Sequence, residues 1–405
     1  MRRMALVFSA LLLLLVCSAS ARTWYITPDG LGDAPTIQAG IDSSTAGDTV
    51  LVACGTYCEH DITVKSGIRL AGESGEPECV TIDALEEGRV MLCDSVLGTA
   101  IEGLTLTGGL AQRGGGMLCR DSDVALVNNI FTANTAEGGI ANGGGGIHVW
   151  GEIAPTVTGC VFSDNNAGWY GGGAWVQGPE FQVVFDQCVF RDNHADNYGG
   201  GLCCTAGQAN LYDCWLEANV AEAGGGIAYS SGQGGSVLRC VFVRNRAYCN
   251  GSSGAAIHQE YGSVLVARST FYENRCDAIL VWACYMVIER TIVANSEGYS
   301  VRLKTDYGEE PEAYAECCDF FGNGCDWCPG MTDQLGRWGN IREDPMFCDP
   351  ENDDFTLDAG SPCTSDNSPE SCYLIGAREV GCANAGVSPA EGEGTNWGAI
   401  KAMFR

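Results

Sequence analysis

Basic side chains are scarce in this sequence. Its 405 residues hold 22 lysines and arginines against 51 aspartates and glutamates, a formal charge of −29 at pH 7. So acidic a surface repels nucleic-acid phosphates and anionic lipid head groups, and it makes a polyanionic glycan costly to bind without a bridging cation. Neutral glycans, cationic partners and calcium are left. Beyond residue 21 no stretch is apolar for the ~18 residues of a membrane-spanning helix, so no transmembrane span is expected. No P-loop ending Gly-Lys-Ser/Thr follows any glycine run. The four histidines, His60, His148, His194 and His258, have no metal-binding spacing.

What is present is a repeat with two beats. In the first, an apolar residue stands three before an asparagine: Phe131 and Asn134, Phe162 and Asn165, Phe190 and Asn193, Leu216 and Asn219, Phe242 and Asn245, Phe271 and Asn274, Ile292 and Asn295, Phe320 and Asn323. In the second, a glycine run opens onto an apolar residue, as at Gly114 to Met117, Gly143 to Ile147, Gly171 to Ala174, Gly199 to Leu202 and Gly224 to Ile227. The asparagines lie 31, 28, 26, 26, 29, 21 and 28 residues apart, and a fixed period of this size means a solenoid. Between the beats stand short β-branched or aromatic segments such as Val183-Val184-Phe185, bounded by Gly, Asn and Asp. No helical periodicity separates them, which argues against leucine-rich, ankyrin or tetratricopeptide arrays. Each repeat is a β-coil; its glycines supply tight corners with positive φ, and its asparagines form inward turn ladders.

These paired signals, over about residues 100 to 325, resemble the repeats of the chlamydial polymorphic outer-membrane proteins. The resemblance implies an all-β fold, a single-stranded right-handed parallel β-helix of the pectin-lyase-like class. Those surface proteins end in a long membrane barrel, for which too few residues follow the repeats here, so an autotransporter mechanism is not expected. The likeness specifies architecture and not activity.

Residues 1–21 have the form of a signal peptide, with Arg2 and Arg3, the apolar Leu11 to Val16 and the small Ala19-Ser20-Ala21. Secretion or residence in the periplasm or at a bacterial cell surface is expected, and Val16 before Cys17 argues against lipidation. Removal of two arginines leaves 20 basic and 51 acidic side chains, a formal charge of −31, and 22 of the 23 cysteines. Cys160, Cys188, Cys214 and Cys240 share one repeat position on the inner face, and stacked neighbours ~4.8 Å apart are too distant for a disulfide. They read as a reduced, buried ladder. Crosslinks are expected at the ends, among Cys54, Cys58, Cys79 and Cys93 and from Cys317 to Cys382. A zinc knuckle of Cys317, Cys318, Cys325 and Cys328 is the alternative, less suited to an oxidising compartment.

The expected organisation is a signal peptide (1–21), an N-terminal cap and first strand (22–50) with a short capping helix over 35–41, β-helix repeats (51–330), disulfide-rich closing coils (331–383), and a linker with a short tail (384–405). The tail's Trp397, Ile400 and Phe404 recur at helical spacing beside Lys401 and Arg405, as a segment docking to a sorting or anchoring partner would.

For chemistry, Asp121, Asp123, Asp164, Asp192 and Asp196 are candidate calcium ligands, although acidic turns are usually just solvated. Of the clustered aspartates, Gly-His-Gly turn and Arg-x-Lys pair of a polygalacturonase-like site, only Arg302-Leu303-Lys304 is found. The outward aromatics are more suggestive. His148 and Trp175 follow the post-glycine apolar position, Trp150 stands two beyond His148, and Tyr170 and Tyr198 precede successive glycine runs. Rings on a rigid face can stack on sugars, although they can equally pack beneath turns. The expectation is a non-catalytic surface protein in adhesion or glycan binding, with His148 and His258 as exposed strand residues; the alternative is a polysaccharide lyase or glycoside hydrolase.

Overall fold

A computed structural model describes residues 20–382 apart from 140, 179–180, 250–252, 306–310 and 328–332. The expected signal peptide, up to residue 19, and the tail therefore lie outside the described residues. Successive coils pair in parallel and in register. They form a first sheet of 12 strands from Thr23–Ile26 to Glu312–Glu316, a second of 11 from Ile62–Thr63 to Cys325–Trp327, and a third of 11 from Gly55–Tyr57 to Asp319–Phe321.

One coil shows why the sequence bends where it does. Gln182–Asp186 lies in the first sheet, Gln187 turns the corner at φ 54°, and Val189–Arg191 lies in the third sheet. Asp192 turns the next corner at φ 55°, and after His194–Ala195 the chain turns again at Gly199 (φ 68°) into Leu202–Cys204 of the second sheet. The glycine run is required for a second reason. A Cβ on Gly200 would meet the Val220 carbonyl oxygen at 2.5 Å, and one on Gly201 would meet the Gly226 oxygen at 2.7 Å. Only bare backbone fits between neighbouring coils there.

Inside the rod the first beat becomes two ladders. Phe131, Phe162 and Phe190 stack with centroids 4.9 and 4.8 Å apart, matching the strand spacing, and each phenyl is fully buried. The asparagines satisfy the corner beside them. Asn193 receives the Asn165 backbone N–H (3.1 Å) and side-chain amide (3.0 Å) on its oxygen, and donates its own amide to the Phe162 carbonyl (2.8 Å) and to Asn219 (2.9 Å). The pattern runs unbroken from Asn134 through Asn165, Asn193, Asn219 and Asn245 to Asn274, all essentially buried. The last repeats need a correction: Val293, not Ile292, pairs with Phe271, so Asn295 becomes the corner residue at φ 55° and Ser296 follows it. In-and-out alternation decides this, because Val293 fills the inner face while Ile292 packs on the outer flank.

Cys160, Cys188, Cys214 and Cys240 are buried and unpaired. Their thiols do more than fill space. Cys188 donates toward the Val157 and Asp186 carbonyls at 3.5 and 3.4 Å, and Cys214 toward those of Phe185 and Tyr212 at 3.3 Å each. Ser269 continues the ladder, donating to Ala267 at 3.0 Å, and Thr291 and Cys318 follow with the same bond to the residue two before.

Among the described residues the disulfides are Cys54–Cys79, Cys249–Cys276, Cys317–Cys372 and Cys348–Cys382. Cys249–Cys276 joins neighbouring coils well inside the repeat region rather than at an end, while Cys58 and Cys93 are free. The zinc knuckle is ruled out in the form expected, since Cys317 is disulfide-bonded and Cys318 donates to backbone inside the rod.

At the N-terminus the capping helix is present as Ile37–Ser43. Thr36 Oγ1 accepts the Ala39 N–H at 3.0 Å, and Ile37 and Ile41 are buried. At the other end the expectation of stacked closing coils is corrected. The ladder continues only to Ile341, which bridges Asp319. A strap then folds back along the outside of the third sheet, placing Phe355, Leu357 and Ile375 against Trp215, Val243, Tyr272 and Ile292. It is anchored by Gly376 N–H to the Arg290 carbonyl (2.7 Å), Ala377 N–H to Thr270 Oγ1 (3.0 Å) and Arg244 to Asp353 (2.6 Å). The reason is the apolar outer flank of those coils, which a coil stacked on the rod's end would leave wet.

Asn219→Ala removes the acceptor for two Asn193 donors and the donor to the Phe190 carbonyl, and should cost about 3 kcal/mol or more. Cys188→Ser keeps a donor in the same place and should cost less than about 2 kcal/mol. Urea denaturation of the two variants checks the order, which a larger loss for the cysteine variant would reverse.

Candidate functional site

On the outer face of the second sheet, in-register pairing lines up His148, Trp175, Cys203, Ala228, His258, Leu280 and Arg302 from successive coils. The small side chains of Cys203 and Ala228 leave a depression between the large ones. Tyr170 and Tyr198, which bridge each other just before their glycine corners, fold over it. The rings form a continuous column: His148 on Trp175 (4.1 Å, 12°), Trp175 on Tyr170 (5.1 Å, 22°), Tyr170 on Tyr198 (5.9 Å, 22°), and Tyr198 tilted beside His258 (6.1 Å). Trp175 Nε1 donates to Thr205 Oγ1 at 3.0 Å.

This arrangement corrects two expectations. His148 and His258 are not exposed strand residues; they are 0% and 2% exposed, and Trp175 is 1%. All three point away from the rod's interior, yet the tyrosines and neighbouring coils cover them. Trp150, at 38% exposed, lies two residues along in register with Gln177, beside Arg120. The joint Trp150–Trp175 platform is therefore not formed, whereas His148, Trp175, Tyr170 and Tyr198 are brought together. Asp164 and Asp192 hold successive corner positions, and among the described residues no three His, Cys, Asp or Glu side chains group as metal ligands.

Where the column ends, the face opens into a cleft of about 140 Å³ whose lining includes Tyr198, Glu222, His258, Glu260, Trp282 and Lys304, together with Asn197 and Ser253. His258 Nε2 lies 3.2 Å from Glu260 Oε1, and the Lys304 ammonium sits 3.8 Å from the Trp282 ring centre. Burial, then the Glu260 carboxylate, pushes the Tyr198 phenol well above its ordinary range, so it is a neutral donor. The cleft combines ring surface, carboxylate acceptors and ammonium, phenol and amide donors on stacked strands, the equipment for gripping a polyhydroxylated ligand. Sequence reading missed Glu222, Glu260 and Trp282, and noticed Lys304 only within the Arg302-Leu303-Lys304 pattern. Trp282 and Lys304 are in-register partners, but the coils drift in length after residue 250, so their alignment was hidden.

Burial holds the His148 imidazole down at about 3, and the Arg113 guanidinium adds to the effect. In the unfolded chain it titrates near ~6.5, so between those values unfolding takes up a proton and stability falls with falling pH. His148→Phe should flatten this acid limb between pH ~6.5 and ~3 while keeping a ring on Trp175. Thermal melts across that window test it; equal slopes in both proteins would show that His148 is not the group responsible.

The right-handed β-helix region model matches residues 66–242. No curated protein matches the chain in sequence. Among solved structures, the crystal structure of pectate lyase Pel9A is similar, with a TM-score of 0.55 and 14% identity over 90% of this chain and 97% of that one. Pectin methylesterase from carrot aligns with a TM-score of 0.30 and 10% identity over 81% of this chain and 90% of its own. The parallel coils, their glycine corners and the capping helix, together with the family-model match and the likeness to Pel9A, give this chain the fold of a right-handed parallel β-helix.

Proposed function

We propose that this protein is an extracytoplasmic β-helix that binds a glycan, without transforming it, in the cleft between Tyr198 and Trp282. The observation that carries the reading is the cleft itself, in which two aromatic residues stand among Glu222, Glu260, Lys304, Asn197 and Ser253 on strands held rigid by their neighbours. Sugars need ring contact and many hydrogen bonds at once, and a stacked sheet supplies both without ordering cost. The acidic surface favours a neutral chain. The four disulfides among the described residues and the leader-like residues 1–21 support a place outside the cytoplasm. Adhesion at a cell surface, with the basic tail docking to a sorting or anchoring partner, completes the proposal.

One observation favours the alternative of a lyase or hydrolase: a carboxylate holds a buried imidazole in the same cleft, a pairing suited to a general base. Release of reducing ends or unsaturated products from uronate or neutral polysaccharides, lost in His258→Gln, would decide for it.

Tyr198→Ala combined with Trp282→Ala should abolish retention on a glycan array, with the melting temperature lowered by only a few degrees; retained binding would reject the cleft. Deleting residues 395–405 should leave the fold intact and change surface retention, as fractionation of expressing cells would show; unchanged retention would make the tail dispensable.

A further inference from the structure

At the corner between the first and third sheets every coil places one residue in the left-handed region. Gly103, Asn128, Gly159 and Asp213 are residue types that accept this backbone at little cost. Gln187 and Cys317 depart from that choice singly, whereas three consecutive coils place the same charged type there: Arg239, Arg268 and Arg290 at φ 56°, 49° and 47°. Arginine gains nothing from the turn, and 22 basic residues are few to spend on one edge of a chain with 51 acids.

The three arginines line a pocket of about 220 Å³ with Leu238, Ala267 and Glu289. Asp213 fixes Arg239 through two hydrogen bonds of 2.9 and 2.6 Å. Arg290 lies 5.4 Å from the Tyr373 ring of the strap, and Arg378 of the strap is near enough to Arg239 to feel its charge. Arg268, between them, makes no ion pair among the described residues. With Arg239 offset by Asp213, Arg268 and Arg290 stand against Glu289, so the pocket carries a net positive charge although the protein does not. Screening within ~8 Å at physiological salt keeps the distant acids from cancelling it.

We infer that this corner is a binding site for a tetrahedral oxyanion of the sulfate or phosphate type, free or as an ester on a larger molecule. Arginines on three successive rungs line the pocket, and an anion with more than two oxygens can offer a separate acceptor to each guanidinium within reach. The site is independent of the Tyr198 cleft and of what binds there.

The test uses the full chain with inorganic sulfate, inorganic phosphate, and dextran sulfate against plain dextran, followed by calorimetry at constant ionic strength maintained with chloride. Saturable binding of either inorganic anion, weakened about tenfold or more in Arg268→Gln, supports a site for the free anion. Binding of dextran sulfate alone, reduced in the same variant, supports an ester. Arg268 is exposed and makes no ion pair among the described residues, so the variant should melt with the parent, and Arg268→Lys should restore part of the affinity. Absence of saturable binding by every anion, or binding that Arg268→Gln leaves unchanged, overturns the inference.

Discussion

In-register stacking is the constraint on which everything else depends. Each strand bonds to the same position one coil away, so whatever a coil buries must be buried by its neighbours at the same height. At the corners the strand ladder is interrupted, and backbone groups facing inward would lose water without gaining a partner. The asparagine ladder answers this need directly, since one primary amide can accept from a backbone N–H and a neighbouring amide while donating to a carbonyl. Where the regular repeat is ending, Asn323 still accepts the Ser296 backbone N–H and donates to the Val293 carbonyl, whereas the shorter Ser296 hydroxyl reaches no partner among the described residues.

The cysteine ladder obeys the same rule with a weaker donor. Cys160 to Cys240 give way to Ser269, Thr291 and Cys318, all of which direct an S–H or O–H at the carbonyl two residues back. Size and a single donor are what the position selects, which is why a thiol persists there without pairing. Burial pushes the Cys160 thiol up to about 12, so it stays protonated and unreactive.

Outside the rod the constraint relaxes, and the surface is shaped by what must be covered. The apolar flank around Val243, Tyr272 and Ile292 draws the C-terminal strap back over it, and Cys317–Cys372 locks the return. In the seam, burial raises the Asp319 carboxyl to about 7, where the Cys363 thiol donates to it at 3.3 Å. On the second sheet the small Cys203 and Ala228 invite the tyrosines inward, and the same inward fold sets one wall of the cleft.

The sequence by itself determined the coil: Phe131 to Asn134 and its repeats announce the inner ladders, glycine runs such as Gly199 to Gly201 announce the corner, and Cys160 to Cys240 announce a buried column, because each depends on local geometry repeated at a fixed height. It also announced that Tyr170 and Tyr198 share one corner position, although it set Trp175 beside Trp150 rather than beneath the tyrosines. Tertiary structure alone decided whether those rings face water. Exposure depends on side chains from other coils and from loops, which is how His148 and Trp175 came to be covered while Trp282 and Lys304, invisible to the drifting period, entered the cleft. The strap's return to residues more than 100 positions earlier, as from Ala377 to Thr270, was equally illegible. A repeat encodes its nearest neighbours, and contacts that skip coils leave no periodic trace.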